Sequence, residues 1–271
     1  MTTLTFLKLG GSVITDKTRP ETPRPDVLAR LAAEIAAALR ERPDLRLVMG
    51  HGSGSFGHIA AHRHGTRAGV HDSTGWHGFA EVAAVAARLN RIVAAALLDA
   101  GVPAFSVQPS ASARCRAGEL VFLDSASVEA ALAHGLVPLV YGDVAFDDVR
   151  GATIISTEQL LAYLAPRLRP SRLLLAGIVD GVYDADPLSH PDASHIPRIT
   201  PANWPAVRVR LGGSHATDVT GGMASKVEAV MTLVEAVPGL SARILSGERP
   251  GALYTALVDP FSDAGTLLCS Q

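Results

Sequence analysis

Lysine is nearly missing from this chain: Lys8, Lys17 and Lys226 stand among 24 basic residues, and the rest are arginine. Cysteine is scarcer still, with Cys115 and Cys269 far apart. Two such cysteines make neither a disulfide framework nor a metal cluster, and they point to a reducing, cytoplasmic compartment. Net charge is only -2, so no global basic field exists to hold nucleic acid or an anionic membrane. Any anion must be bound locally. No apolar run approaches the roughly 20 residues that span a bilayer. The start, Met-Thr-Thr-Leu-Thr-Phe-Leu-Lys, lacks the basic opening and long apolar stretch of a secretory leader.

What is present is apolar bulk. Of 271 residues, 48% are hydrophobic and 18% charged, enough for a sizeable core and too apolar for a disordered chain. That length holds one large domain or two closely joined lobes. A GC-rich genome is the bland reading of the arginine excess. Yet all three lysines lie in or beside glycine-rich motifs, and a lysine is a compact charge on a flexible stem, suited to following a moving phosphoryl group.

Periodicity predicts strands alternating with helices. Strands are expected at Thr3 to Leu9, Leu45 to Met49, Ala104 to Gln108, Leu136 to Tyr141, Leu173 to Val179 and Ala242 to Leu245. Helices are expected after an Asp26 cap, from Phe79 to Leu98, from Glu158 to Leu164 before Pro166, and from Ala224 to Val234. Such alternation makes βαβ units and a largely parallel sheet covered on both faces, with ligands at the carboxyl ends of its strands. The stretch from Arg167 to Ser171, beside Pro166 and holding Pro170, is the expected hinge between lobes 1–170 and 171–271.

Four motifs carry the chemistry. Lys8-Leu9-Gly10-Gly11-Ser12, with Lys17 beyond, lets backbone N–H groups and a hydroxyl approach an anion at a strand end. It lacks Walker A spacing. Gly52-Ser53-Gly54-Ser55-Phe56-Gly57-His58 reads as a second donor-rich loop, in which His58 can donate to a phosphate oxygen. His51, His62, His64, His71 and His77 match no zinc spacing and read as solvated or locally bonded. Asp180-Gly181-Val182-Tyr183-Asp184-Ala185-Asp186-Pro187 is a turn after a buried strand. Asp218-Val219-Thr220-Gly221-Gly222-Met223-Ala224-Ser225-Lys226 opens a helix on two glycines, with Lys226 about one turn in.

In this order and spacing the motifs resemble the amino acid kinase superfamily over nearly the whole chain, through Gly265-Thr266. The Ser55-Phe56-Gly57-His58 ending, with Gly78-Phe79, Arg88-Leu89-Asn90 and Tyr141-Gly142-Asp143-Val144, resembles its isopentenyl phosphate kinase branch. The resemblance implies an open three-layer α/β/α sandwich with a mostly parallel sheet. It implies an acceptor site in the first lobe, an ATP site in the second, Mg²⁺ on the ATP phosphates and a homodimer. The reaction would be phosphorylation of isopentenyl phosphate to isopentenyl diphosphate, an isoprenoid-precursor step of an alternative mevalonate pathway. Lys8, Lys17, His58 and Lys226 would be catalytic. Ser53, Gly57, His58 and Thr157 would meet the acceptor. Lys8, Gly10, Gly11, Ser12, Gly54, Asp180, Gly181, Tyr183, Asp186, Gly222 and Lys226 would meet ATP. No residue is assigned as a metal ligand.

The chemistry stands without the family: phosphoryl transfer needs positioning and charge stabilisation, and a phosphate nucleophile is already ionised near pH 7. One departure is visible. Ile154-Ile155-Ser156 continues as Thr157-Glu158-Gln159, where the family has Gly-Asp-Asp or similar. Glu158 would replace an aspartate that orients a lysine, and Thr157 would crowd the acceptor or donate to it. An isoprenoid acceptor needs an apolar tail pocket, for which Phe79, Val85 and Ile155 are candidates. The rivals are a fosfomycin kinase-like phosphonate kinase, a non-catalytic nucleotide or anion sensor on the same fold, and a dinucleotide dehydrogenase. The last lacks its glycine fingerprint at the first turn.

Overall fold

The computed structural model describes residues 3–187, 189–212 and 222–271, without the side chains of His58 and Ile59. Strand β1 (Thr3–Leu9) leads into the short helix α1 (Gly11–Ile14) and then α2 (Pro25–Glu41). Strand β2 (Leu45–His51) is followed by α3 (Gly54–His64) and the long α4 (Ser73–Asp99). Then come β3 (Ala104–Ser106), a single 3₁₀ turn (Pro109–Ala111), β4 (Arg114–Arg116), β5 (Glu119–Phe122), α5 (Ala126–Ala133) and β6 (Val137–Tyr141). A hairpin, β7 (Asp143–Asp147) and β8 (Gly151–Ile155), precedes α6 (Thr157–Leu168) and β9 (Arg172–Gly177). The remainder holds β10 (Val182–Tyr183), β11 (His195–Ile196), β12 (Arg198–Ile199), α7 (Trp204–Gly212), α8 (Gly222–Ala236), β13 (Ser241–Ser246), α9 (Ala252–Val258) and β14 (Thr266–Leu268).

The main sheet runs β12-β14-β13-β9-β1-β2-β6-β3. Pairings from β13 through to β3 are all parallel, and β14 meets β13 antiparallel at one end. Residues 1–170 and 171–271 supply four strands each, meeting where β1 pairs β9. Strand alternation sends Phe6 and Lys8 to one face and Leu7 and Leu9 to the other. Each face has its own core. Phe6, Val48, Leu173 and Leu175 pack under Leu160, Leu164, Val227 and Val230. Leu7, Leu47, Met49 and Leu174 pack under Leu31, Ile35, Leu89 and Leu257. This is the expected three-layer α/β/α arrangement, and each core draws on both halves of the chain.

Several boundaries differ from expectation for local reasons. Helix α2 is capped by Arg24, with Pro25 at its first position; Asp26 sits in the first turn, where the helix dipole favours it. Helix α4 starts well before Phe79, because Asp72 caps it by accepting the Gly75 N–H at 2.7 Å. Helix α6 passes through Pro166 to Leu168 and ends on Arg169 in a left-handed conformation; Leu164 and Ala165 are buried there, so packing holds the turn. The segment from Gly52 to His58, expected as a loop, becomes helical at Gly54.

A second sheet, β5-β4-β7-β8, was not expected from the sequence. Asp147 holds its turns, accepting backbone N–H groups from Ala117, Gly118, Val149 and Arg150 at 2.7–3.1 Å. Those donors keep its carboxyl below the usual range despite its burial.

Candidate active site

The exits of β1, β2, β9 and β13 meet at one edge of the sheet. Gly10 N–H donates to the Ala176 carbonyl at 2.8 Å, Gly52 N–H to Leu9 at 3.0 Å, and Gly247 N–H to Gly177 at 2.7 Å. The two glycine loops therefore lie back to back. A Cβ on Gly11 would sit 2.4 Å from the Gly54 nitrogen, and one on Gly52 would sit 2.8 Å from the Gly11 nitrogen. Gly54 has φ +50°, and its missing Cβ leaves room for the Thr15 hydroxyl. Thr15 ties the loops together: its hydroxyl donates to the Gly11 carbonyl at 2.7 Å and accepts from Ser55 N–H at 2.9 Å. Among the described residues, the N–H groups of Gly11, Ser12, Ser53 and Gly54 donate to no protein acceptor. Four such donors in touching loops are available to an anion, as the backbone of an anion cradle would be.

Lys8 lies on β1, opposite Gly50 of β2 and Leu175 of β9. Its parity sends it to the α6 face, where its ammonium is paired with the Glu158 carboxylate. Glu158 is in the first turn of α6, where the helix dipole favours a carboxylate. That turn is fixed by a capping box, with Ser156 and Gln159 each bonded to the other's backbone. Burial pushes the Glu158 carboxyl up; the charge and hydrogen bond of Lys8 and the charge of Lys226 outweigh it and hold it below the usual value. Thus the structure gathers Lys8, Glu158 and Lys226 into one electrostatic cluster. The extra methylene of glutamate does not prevent the pairing with Lys8.

Thr157 departs from expectation. Its side chain is buried, and its hydroxyl donates to the His51 carbonyl at 2.6 Å. It supports the loop from behind and presents no donor to an acceptor. Ser53 caps α3, and Gly57 lies directly beneath it: a Cβ on Gly57 would come within 2.5 Å of the Ser53 side chain. His58 is on α3, one residue beyond Gly57; its side chain lies outside the described residues. Lys17 is exposed and lines a cavity of about 550 Å³ with Ser12, Asp16, Arg24 and Ile178. The cavity opens beside the first loop through Ser12. If Lys17 stabilises charge that develops only during transfer, Lys17→Ala lowers kcat with little change in the KM for ATP; steady-state kinetics with an unchanged kcat would remove it from the mechanism.

The Asp180 to Asp186 turn follows β9 at the same edge. The Tyr183 hydroxyl donates to Asp180 at 2.7 Å, and Asp186 accepts from the Ser189 hydroxyl at 3.0 Å. Gly181 has no room for a side chain, its Cβ position being 2.3 Å from the His195 ring. Thr266 pins this turn, accepting from Val182 N–H and donating to the Ile196 carbonyl. Gly222 is the first residue of α8; Asp218 to Gly221 lie outside the described residues. Phe79 packs against Trp76 and Phe146, with centroids 5.6 and 5.2 Å away. Val85 is buried in the core against which Phe79 packs, and Ile155 is buried in the core on the opposite face of the sheet.

Of the two readings of His51, solvated or locally bonded, the structure shows the second: it is 1% exposed, its Nδ1 is 3.1 Å from the Gly52 carbonyl, and burial pushes its imidazole down to about 4. Thr15 carries no signal in the sequence, and His51 reads there only as a solvated or locally bonded histidine. Their roles depend on contacts between chain segments.

A family profile described as Amino acid kinase family matches residues 3–246. The chain belongs to the amino acid kinase family. Isopentenyl phosphate kinase from Methanothermobacter thermautotrophicus is 38% identical to this kinase over 261 residues, 93% of this chain and 94% of that one. The protein of the same name from Haloferax volcanii is 41% identical over 256 residues, 92% of this chain and 98% of that one. A solved isopentenyl phosphate kinase superposes with a TM-score of 0.82 at 33% identity, covering 98% of this chain and 99% of its own. Such likeness favours phosphate acceptance over the phosphonate and sensor readings.

Proposed function

We infer that this kinase transfers the γ-phosphoryl group of ATP to isopentenyl phosphate, releasing isopentenyl diphosphate and ADP. The observation that carries the reading is the anion cradle: four backbone donors in two touching loops, directly beside the Lys8–Glu158–Lys226 cluster. Two phosphates repel one another, and the site answers with positioned positive charge and N–H dipoles. The acceptor phosphate is its own nucleophile, so no general base is needed. In this reading Gly11, Ser12 and Gly54 hold the transferring group, Lys8 and Lys226 follow its charge, and Glu158 keeps both lysines in place. Ser53 and His58 hold the acceptor. Residues 1–170 supply the acceptor side, and residues 171–271 supply the ATP side through the Asp180 turn and α8. The half-exposed Trp76, Phe79 and Phe146 cluster offers an apolar surface for the isoprenoid tail.

Among the described residues no three His, Cys, Asp or Glu side chains converge on a metal site. Mg²⁺ would arrive on ATP, held by phosphate oxygens and water, where it neutralises phosphate charge. No described helix is long and apolar enough to cross a membrane. A cytoplasmic homodimer acting in isoprenoid-precursor synthesis is the assembly and setting we propose; sedimentation of the purified enzyme tests the dimer.

The reading is tested by ADP release with Mg·ATP and isopentenyl phosphate, dimethylallyl phosphate or fosfomycin as acceptor. High kcat/KM for the isoprenoid monophosphates supports it, and activity on fosfomycin alone overturns it. His58→Ala is expected to cut turnover about 10²-fold or more, the cost of losing one oriented donor, while ATP affinity stays near wild type. Equal loss of ATP binding would remove His58 from the acceptor side.

A further inference from the structure

His51 ends β2 next to Gly52 and contacts Asn90 of α4, Tyr141 and Gly142 at the β6 exit, and Thr157 of α6. Its Nδ1 is 3.1 Å from the Gly52 carbonyl, an acceptor only, so Nδ1 carries the proton. Its Nε2 is 3.2 Å from the Asn90 side-chain nitrogen, which donates to it. The Asn90 oxygen accepts from the Ser106 hydroxyl at 2.5 Å, which fixes the amide's orientation. Ser106 is on β3 and Asn90 on α4, and both His51 and Asn90 are buried. The imidazole lies flat against the Tyr141 ring, with centroids 5.7 Å apart and planes within 8°. The His51 carbonyl accepts from the Thr157 hydroxyl at 2.6 Å and from Gly142 N–H at 3.2 Å. One residue thus joins the β2 exit, the β6 exit and the first turn of α6, which carries Glu158.

We propose that His51 is a positioning residue for phosphoryl transfer. Its imidazole is held as the Nδ1–H tautomer by Asn90 and Ser106, and its carbonyl is held by Thr157. Together they fix Gly52 against Gly11 and Glu158 in reach of Lys8. Burial keeps the ring neutral, which preserves one proton and one lone pair in the pattern the chain of donors requires. Misplacement of a positioned group by about 1 Å can cost 10²-fold in rate, so a fixed loop exit bears directly on turnover. The inference rests on the phosphoryl-transfer reading of the site.

Two substitutions separate positioning from mere packing. His51→Asn keeps a donor near Nδ1 for the Gly52 carbonyl and leaves Asn90 without its acceptor. His51→Gln keeps a partner for Asn90 and loses the Nδ1 donor. Both disturb the same buried spot, so a packing role lowers both alike. The expected result is that His51→Asn retains at least about ten times the kcat of His51→Gln, at similar melting temperatures and with similar KM for ATP. Equal kcat values in the two variants overturn the proposal. Should either variant fail to fold, the wild-type enzyme labelled with ¹⁵N-histidine decides by NMR. A slowly exchanging imidazole proton on Nδ1 is expected, and an Nε2–H tautomer at His51 overturns the proposal. Silence of the wild-type enzyme on isopentenyl phosphate defeats the functional reading instead, while the tautomer can still be read.

Discussion

Gly11→Ala is expected to cost about 10²-fold or more in kcat/KM, because it moves the loops proposed to hold the transferring phosphoryl group. The added methyl group would lie 2.4 Å from the Gly54 nitrogen and 2.7 Å from its Cα. These are backbone atoms, and no side-chain rotation relieves the clash. Gly54 cannot retreat easily: Thr15 bonds to the loops on both sides of it, and Ser55, buried, accepts from Thr22 N–H at 3.2 Å. The loops must separate, which moves the Gly11 and Ser12 N–H groups away from those of Ser53 and Gly54. Overpacking of this kind costs about 1–3 kcal/mol of stability, so the variant should fold at room temperature. Kinetics and a thermal melt test this together. A folded Gly11→Ala enzyme with wild-type kcat/KM would show that the loops do not cradle phosphate.

Glu158→Gln is expected to lower kcat by about 10²-fold, the scale for losing one oriented electrostatic group. The substitution keeps the size of the side chain and removes the charge. Lys8 and Lys226 then repel without a shared anion between them. The pair with Lys8 is partly exposed, at 13% and 33% for the two side chains, so its stability contribution is modest. It has a sign in pH. The Glu158 carboxyl is held below its ordinary value of 4.5. Its contribution is therefore present above about pH 4.5 and lost as pH falls through the lowered value. The stability difference between wild type and Glu158→Gln should be flat from neutral pH down to that point and shrink below it. Denaturant melts across the range check this, and a difference that vanishes between pH 8 and 6 would contradict it.

Much of this molecule can be read from its sequence, and the gaps have physical causes. The buried parallel strands announce themselves as apolar runs such as Leu45 to Met49, because both their faces are covered. The glycine loops are legible because their close approach, Gly11 against Gly54, leaves no room for a side chain. The second sheet is hidden because Arg114–Arg116 alternates arginine with one buried cysteine and is too short to show a period. Helix α3 is masked by glycine and serine, whose low helix propensity is overridden by Phe56 and Ala60 in the core. Thr157 reads as an acceptor contact because of its place in a motif. Only the fold shows it buried against the His51 carbonyl. The roles of Thr15, His51 and Asn90 each depend on a bond to a distant segment, and one sequence without its fold cannot display such a bond.

The most direct measurement is ³¹P NMR of a reaction started with Mg·ATP and isopentenyl phosphate. The monophosphate resonance should disappear as two coupled diphosphate resonances grow, in step with ADP and without inorganic phosphate. ADP and inorganic phosphate beside an intact monophosphate would mean that the cradle serves hydrolysis, and an unchanged spectrum would contradict phosphoryl transfer to this acceptor altogether.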